Sequence, residues 1–513
     1  MKRLHHLNHQ LLTWSLIGLV GMSPSQSKAV SFLSFDPRSM AMGGAVIAIA
    51  RPYNASLYNP ALLLPDDSYK GWLYFTRPFK GAHLIDRDNF IEAVEDYIDN
   101  ESEQRFDTLL ERAKTDFKQG RLNAPSLREL ADTGRQWRDD ITSLSNKPLR
   151  ASISEGFSVS VTGDDSAWGG HVRNYSVLGA KVNIADIDIQ RIEQAIELID
   201  LFADISDQLA DTKQLAAALD LPHLESLILD AIDTQVVSDE LSSYYDLPTV
   251  QAFVEASMEL GRLVQSLDTY FQLDELVEQL ISSSVTGDVP KLSNYLKYQI
   301  PETFESTVAI QGAEVTETSL SYAWLAQPAY RLTFGVNMKW LSLTTIDAVT
   351  PIGNVSLDDY KNPLFHQSHD AFNLDFGMYY NVTHALSFAA VVKNIIPDEF
   401  GTVDGNIIRY RPLVRVGASY VYDDVRIAID FDVTKNDPLG FDQDKQYLAV
   451  GVEYKLWQNT AFRAGLRTNL VTGVIVPSIG LGIGSYRAHL DLAVTKSQEN
   501  DEIGAALQIG IGF

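Results

Sequence analysis

The chain has 513 residues, 67 acidic against 41 basic side chains for a net charge of −26, and no cysteine. That acidity leaves no general positive field for nucleic acid. The missing thiols exclude cysteine catalysis, disulfides, Cys-ligated zinc and iron–sulfur clusters.

A hydrophobic share of 45% with mean hydropathy −0.07 suffices for a buried core. It excludes a bundle of membrane helices but not a membrane barrel, whose strands are apolar on one face only.

Residues 1–29 read as an export signal. Lys2 and Arg3 form the charged start, Leu11 to Met22 an apolar run too short to span a bilayer, and Ser27-Lys28-Ala29 a small-residue site with cleavage near Ala29. The mature chain then begins at Val30. The segment after it carries Arg38-Ser39-Met40-Ala41-Met42-Gly43-Gly44-Ala45, a small apolar run to Ala50, and Asn54-Ala55-Ser56-Leu57-Tyr58-Asn59-Pro60-Ala61.

Period-2 alternation marks strands at 71–79, 153–162 and 170–184 and dominates from 303 onward. The closing segment sets Ile503, Ala505, Leu507, Ile509, Ile511 and Phe513 on one face and Gly504, Ala506, Gln508, Gly510 and Gly512 on the other. Short links near Gln327-Pro328, Val382-Thr383, Asp423-Asp424, Gln458-Asn459 and Ser485 alternate with longer ones at 347–369, 395–410, 435–445 and 496–502, apart from one brief link near 471–474. A soluble sandwich also alternates, but this asymmetry of turns suits a transmembrane barrel. The expected fold is therefore an all-β transmembrane barrel of about 14 antiparallel strands, range 12–16, built from 71–85, 148–185 and 303–513. The parity holds only if 303–326 is one strand continuing past Gly312. Trp340, Tyr420, Tyr422, Tyr454 and Trp457 suit interfacial girdles.

Two stretches, 86–147 and 186–302, change to a helical period, as in Ile189, Ile192, Ile196, Ile199 and Phe202, and in Phe253, Leu260, Val264, Leu267 and Phe271. From 186 to 302 there are 23 acidic and 5 basic residues. Acidic polar faces argue against a lipid-binding helix and for stripes that pack on one another, with a docking partner as the alternative. Strand parity puts both insertions on the long-loop rim outside the cell; an odd count before 303 puts them in the periplasm.

The Gly-Gly-Ala and Asn-Pro-Ala motifs resemble the mature N-terminus of FadL- and PorV-like outer-membrane barrels. With two helical insertions and a closing strand ending in Phe513, the chain looks most like the TraF-type conjugal transfer proteins of that group. Arg463-Ala464-Gly465-Leu466-Arg467-Thr468-Asn469-Leu470 and Pro477-Ser478-Ile479-Gly480-Leu481-Gly482 resemble their late strands. The resemblance implies that 30–70 is a hatch inside the barrel. Met42, Gly43, Gly44, Asn59 and Pro60 become ligand or hatch residues, and Phe513 a barrel-assembly residue. Glycine suits close approach of backbone to the wall, and Asn-Pro suits a turn.

Other chemistry is sparse. Gly480-Leu-Gly482-Ile-Gly484 lacks the last glycine of a dinucleotide loop and reads as small lumen-side residues of a strand. No nucleophile elbow, zinc-helix or phosphate-loop motif occurs. His366 and His369, and the carboxylates of 436–444, are weighed as cation ligands and read as solvated loop residues. No enzyme activity, cofactor or metal is expected.

The expected location is the outer membrane, with its lipid and the barrel assembly machinery as partners and no nucleic acid. The leading expectation is passive uptake of hydrophobic small molecules, which calls for an apolar pocket near 40–60. The alternative is a non-transporting envelope component of a conjugal transfer or secretion system acting through protein contacts, which calls for a filled lumen.

Overall fold

The computed structural model describes residues 32, 35–64, 73–76, 79–86, 88–118, 123–219, 304–327, 331–352, 363–436, 439–457, 459–484, 488–497 and 502–512. The signal, Phe513 and the stripe from Phe253 to Phe271 lie outside them. The described residues form two units, a barrel within 9–92, 146–183 and 307–513 and a helical unit within 93–145 and 184–306.

In the barrel every neighbouring strand pair is antiparallel. The first stave is β1 (Leu73–Thr76) continued by β2 (Phe79–Ile85), and both segments pair with the last strand, β17 (Glu502–Gly512), and with β3 (Leu149–Thr162). That double pairing closes the sheet. The wall continues through β4 (Ser166–Asn183), β5 (Thr307–Gln327), β6 (Leu332–Pro351), β7 (His366–Asn381) and β8 (Leu386–Lys393). It is completed by β11 (Leu413–Tyr422), β12 (Val425–Asp432), β13 (Tyr447–Trp457), β14 (Thr460–Asn469), β15 (Ile475–Gly484) and β16 (Ala488–Lys496). Among the described residues this makes fourteen staves, and β5 runs unbroken past Gly312 as parity requires. Between β8 and β11 the chain adds β9 (Asp398–Gly401) and β10 (Ile407–Tyr410), a hairpin forming its own two-stranded sheet.

The two faces of the wall are inverted relative to a water-soluble protein. Ile427, Ile429, Val450, Val452, Ile479, Leu492, Val494, Leu507 and Ile509 are exposed, while Asp430, Glu453, Arg463, Asp491 and Gln508 between them are buried. Such a continuous exposed apolar band on strands of about ten residues is the signature of a lipid-facing barrel with a polar interior. Trp168, Tyr322, Trp324, Phe334 and Phe376 run in ring contact along one side, with centroids 4.6 to 6.0 Å apart.

Strands β4 to β7 are longer than the band requires. Above Leu320 and Trp340 the outward positions turn polar at Thr318, Thr316 and Glu314 on β5 and Ser342 and Thr344 on β6. These positions fall within stretches that the sequence reads as strand; the loop reading differs from the structure only at the ends, 347–351 of β6 and 366–369 of β7.

The helical unit contains α3 (Phe90–Asn100), α4 (Ser102–Lys118), α5 (Ala124–Ser143) and α6 (Asp186–Leu219). The stripe Ile192, Ile196, Ile199 and Phe202 is buried, and Gly134 on α5 lets α6 approach so closely that a Cβ there would lie 3.0 Å from Ile196 Cγ1. Trp137 stacks on Phe106 at 5.4 Å, while Arg128 bridges to Asp204 and Asp207 at 2.9 and 2.5 Å. Apolar stripes inward and ion pairs outward make this a packed helical unit in its own right. Among the described residues no helix is long and apolar enough to cross a membrane.

Candidate functional site: a hatch in the barrel lumen

The segment 35–64 lies inside the barrel and is buried almost throughout. Its first helix, α1 (Pro37–Ala41), starts where Asp36 Oδ1 accepts from the N–H groups of Arg38 and Ser39 at 3.1 and 3.3 Å, with proline at the first helical position. The chain then turns through Gly43 and Gly44 at φ of +67° and +93°. Small apolar residues 45–50 lead to α2 (Pro52–Tyr58), and Asn59 caps the short 3₁₀ turn Pro60–Leu63 by accepting from Ala61 N–H at 3.1 Å.

Backbone meets backbone where the hatch touches the wall. A Cβ on Gly43 would lie 2.7 Å from Leu466 N and O, and a Cβ on Gly465 would overlap Gly43 N. Ser478 Oγ accepts from Gly43 N–H and donates to Ala41 O, both at 3.1 Å. The two late-strand motifs are thus the wall that faces the hatch.

Charge fastens it. Arg38 donates from Nε and Nη2 to the two oxygens of Glu453, each at 3.0 Å. Glu453 also pairs with Arg463 at 2.7 Å, and Arg463 with Asp491 at 2.5 Å. Asp430 Oδ2 accepts the N–H groups of Val46 and Ile47 at 2.7 and 3.0 Å. Asn59 Nδ2 donates to Ile47 O and to Met378 O, and Asn337 Nδ2 donates to Ser56 O at 2.8 Å. Apolar packing completes the seat, with Met42, Ile47, Leu57 and Leu63 against Ala389, Val391, Ala428 and Ala449.

A second buried cluster fills the barrel toward the long-loop rim. Phe400, Ile408 and Tyr410 of the β9–β10 hairpin and Leu439 of the 433–446 loop pack on Tyr175, Val177, Ala313, Val315, Leu341 and Leu343. Burial and the adjacent Tyr175 push the Tyr410 phenol well above its ordinary range. Within the loop Asp442 pairs with Arg150 and Lys445, and Asp444 pairs with Lys435 at 2.5 Å. Protein cations thus neutralise two of the three carboxylates weighed as cation ligands, Asp442 and Asp444, and the third, Asp437, lies outside the described residues. His369 Nε2 is 2.8 Å from Gly401 O, and no group of metal-ligating residues occurs among the described residues.

One constellation escaped sequence reading. Ser319 Oγ is 2.7 Å from His171 Nδ1, and His171 Nε2 is 2.7 Å from Glu317 Oε1. The distances suit a nucleophile, a base and an orienting carboxylate. All three are buried, however, and Ser319 Oγ also accepts from His171 N–H at 3.1 Å. These are cross-strand neighbours, His171 paired with Ser319 and Arg173 with Glu317, so pairing across one face already explains the contact.

The five residues singled out for the hatch fall at its two tightest contacts. Met42, Gly43 and Gly44 form the turn against β13 and β14, with Met42 fully buried and Gly44 O accepting from Arg415 at 3.3 Å. Asn59 and Pro60 sit against Gly335 and Gly377 of β6 and β7. The wall charges Asp430, Glu453, Arg463 and Asp491 were not singled out. Their signal was a charged residue on the lumen face of an otherwise apolar strand.

A family model described as "F plasmid transfer operon, TraF, protein" matches residues 56–432. No curated protein matches the chain significantly. Among solved structures, a TodX deltaS2S3 mutant monoaromatic hydrocarbon channel is 9% identical, covering 93% of this chain and 98% of its own, at a TM-score of 0.41. The Ralstonia pickettii toluene transporter TbuX is 10% identical, covering 93% and 97%, at 0.40. The P. putida toluene transporter TodX is 11% identical, covering 94% and 98%, at 0.37. These are distant likenesses.

Proposed function

The chain belongs to the TraF family of F plasmid transfer operon proteins, and on that footing we propose that it is an outer-membrane barrel held shut by its own hatch, acting as an envelope component of a transfer or secretion system through protein contacts. The observation that carries this reading is the fastening of the hatch at separate points of the wall, Arg38 to Glu453 and Val46 and Ile47 to Asp430. Removing one member of a buried pair costs about 3–5 kcal/mol, so the hatch is not a plug that thermal motion displaces freely. The exposed apolar band supplies the contact with outer-membrane lipid, and the barrel assembly machinery inserts the chain. Met42, Gly43, Gly44, Asn59 and Pro60 serve to seat the hatch, and His171, Glu317 and Ser319 hold adjacent strands without catalysing a reaction.

A second reading, passive uptake of a hydrophobic small molecule, is favoured by the apolar seam between Met42, Ile47, Leu57 and Leu63 and the wall. Such a seam admits a hydrocarbon in preference to an ion. Planar-bilayer recording of the purified chain tests the closed state: no steady conductance is expected, with opening after deletion of residues 35–64. Steady conductance from the intact chain refutes it. Native mass spectrometry of protein extracted from its own membrane separates the readings, since a stoichiometric apolar ligand favours uptake and co-purifying envelope proteins favour assembly.

A further inference from the structure

The β9–β10 hairpin is not woven into the wall. Each strand has four residues, and its sheet shares no ladder with the barrel wall. An isolated two-stranded hairpin is marginal in water, so its place is set by packing and by a few side-chain contacts. Phe400, Ile408 and Tyr410 supply the packing. Thr402 Oγ1 and Asn406 Nδ2 donate to Asp347 at 2.9 and 3.1 Å. The hairpin can therefore leave its seat without breaking a hydrogen bond of the wall's backbone ladder, giving up side-chain contacts alone: these two, Thr345 Oγ1 donating to Gly401 O at 3.1 Å, His369 Nε2 at 2.8 Å from the same carbonyl, and the Tyr410 hydroxyl on Tyr175.

From the end of the hairpin opposite its turn, where Tyr410 pairs with Asp398, an unbroken line of contacts descends to the hatch. Tyr410 OH and Tyr175 OH are 2.6 Å apart, and the Arg173 guanidinium carbon lies 4.7 Å from the Tyr175 ring centre. Arg173 pairs with Glu317 at 3.4 Å, and Glu317 with Lys339 at 3.8 Å. Lys339 pairs with Asp375 at 2.7 Å. Asn337 then donates from Nδ2 to both Asp375, at 3.2 Å, and the carbonyl of Ser56 in α2, at 2.8 Å. Lys393 reaches the same helix by donating to Leu57 O. The other end of the hatch, α1, is held on the wall by a different set, Glu453, Arg463 and Asp491 on β13, β14 and β16, and touches α2 where the Tyr58 hydroxyl meets Ser39 Oγ at 3.0 Å and Asp36 and where Asn54 Nδ2 donates to Asp36 at 3.4 Å.

We propose that the β9–β10 hairpin is a movable outer closure whose seating is transmitted along this line to α2, so that the two ends of the lumen are closed in concert. Displacing Tyr410 removes the hydrogen-bond partner of the Tyr175 hydroxyl and so frees the ring on which Arg173 rests beside Glu317. Each later member is a charged or amide group in a dry interior, where a group deprived of its partner moves to find another. The effect reaches the Ser56 carbonyl, while α1, although it touches α2 through Tyr58 and Asn54, stays seated by its own pair with Glu453.

The test is hydrogen–deuterium exchange on the full chain in detergent micelles, comparing wild type with Tyr410→Phe and Tyr175→Phe. Both changes remove one hydroxyl and keep the ring, and heat-dependent gel mobility checks that the barrel is intact. Exchange should accelerate about fivefold, the size of one lost hydrogen bond, in the hairpin and in 52–58 but not in 37–41. The double variant should accelerate 52–58 no further than either single one, because both break the same link. Acceleration confined to the hairpin overturns the proposal. So does equal acceleration of 37–41, which is general loosening, and so does no change in any segment.

Discussion

Arg38 grips Glu453 through two parallel hydrogen bonds of 3.0 Å, joining a hatch helix to a strand 415 positions later in the chain. A planar guanidinium meets a carboxylate in this way with fixed orientation, which a lysine ammonium cannot reproduce. The pair fixes both the position of the hatch and the rotation of α1 within the lumen.

Arg38→Gln leaves Glu453 with Arg463 and the more distant Arg51, at 3.9 Å, so the hatch end should loosen while the wall remains closed. A loss of about 3–5 kcal/mol is expected from the buried pair. Arg38→Lys should recover only part of it. Denaturant-dependent loss of the unboiled gel mobility measures the first effect, and bursts of conductance in a planar bilayer measure the second.

Gly465→Ala should interfere with seating as strongly as a much larger change elsewhere, because its Cβ would occupy the place of Gly43 N, which is backbone and cannot rotate away. A cost of about 1–3 kcal/mol is expected. Gly401→Ala is the matched control, since the nearest atoms to a Cβ there are 3.7 Å away in the Gln367 side chain. Protease susceptibility of 35–64 in the purified protein should rise for the first variant and stay unchanged for the second.

Much of this architecture is legible in the sequence because a barrel in lipid writes itself as period-2 alternation, and β12 to β17 alternate cleanly. The unbroken course of β5 past Gly312 followed from the parity of strands. The first residues of β7, 366–369, read as loop because they are polar on both faces, the last residues of β6, 347–351, because the run ends on a proline with no alternation left to follow, and the β9–β10 hairpin was hidden in the span 395–410 because four-residue strands are too short to show a period. Pairings among lumen charges were illegible for a different reason. Alternation identifies Asp430, Glu453 and Arg463 as inward facing, but whether each meets the hatch or a neighbouring strand depends on where the hatch lies.

The helical unit should carry its own alkaline transition. Tyr97 OH donates to Glu103 Oε2 at 2.7 Å, and burial, followed by the charge of Glu103, pushes its phenol well above the ordinary value. The folded state holds this proton more tightly than the unfolded one. Its contribution is therefore fully present below about pH 10 and is lost as pH rises from there toward the raised value. Far-ultraviolet circular dichroism during denaturation should show helix stability falling by up to about 1.4 kcal/mol per pH unit above 10. Tyr97→Phe should flatten that slope, and an unchanged slope would assign the transition to another group.

The lipid-facing band predicts where charge is tolerated. Ile479 on β15 is 52% exposed, a value that in water would make it a harmless surface residue. In a bilayer the same exposure means contact with acyl chains, so Ile479→Arg should cost about 2–4 kcal/mol near the midplane. Thr316 on β5 is also exposed, but it stands beyond the point where the outward residues turn from Leu320 to Thr318, so Thr316→Arg should cost about 1 kcal/mol or less. Folding titrations into phospholipid vesicles measure both. Equal tolerance of the two arginines would mean that the apolar face of β15 meets protein or water instead of lipid, and the band would then have to be sought elsewhere on the barrel.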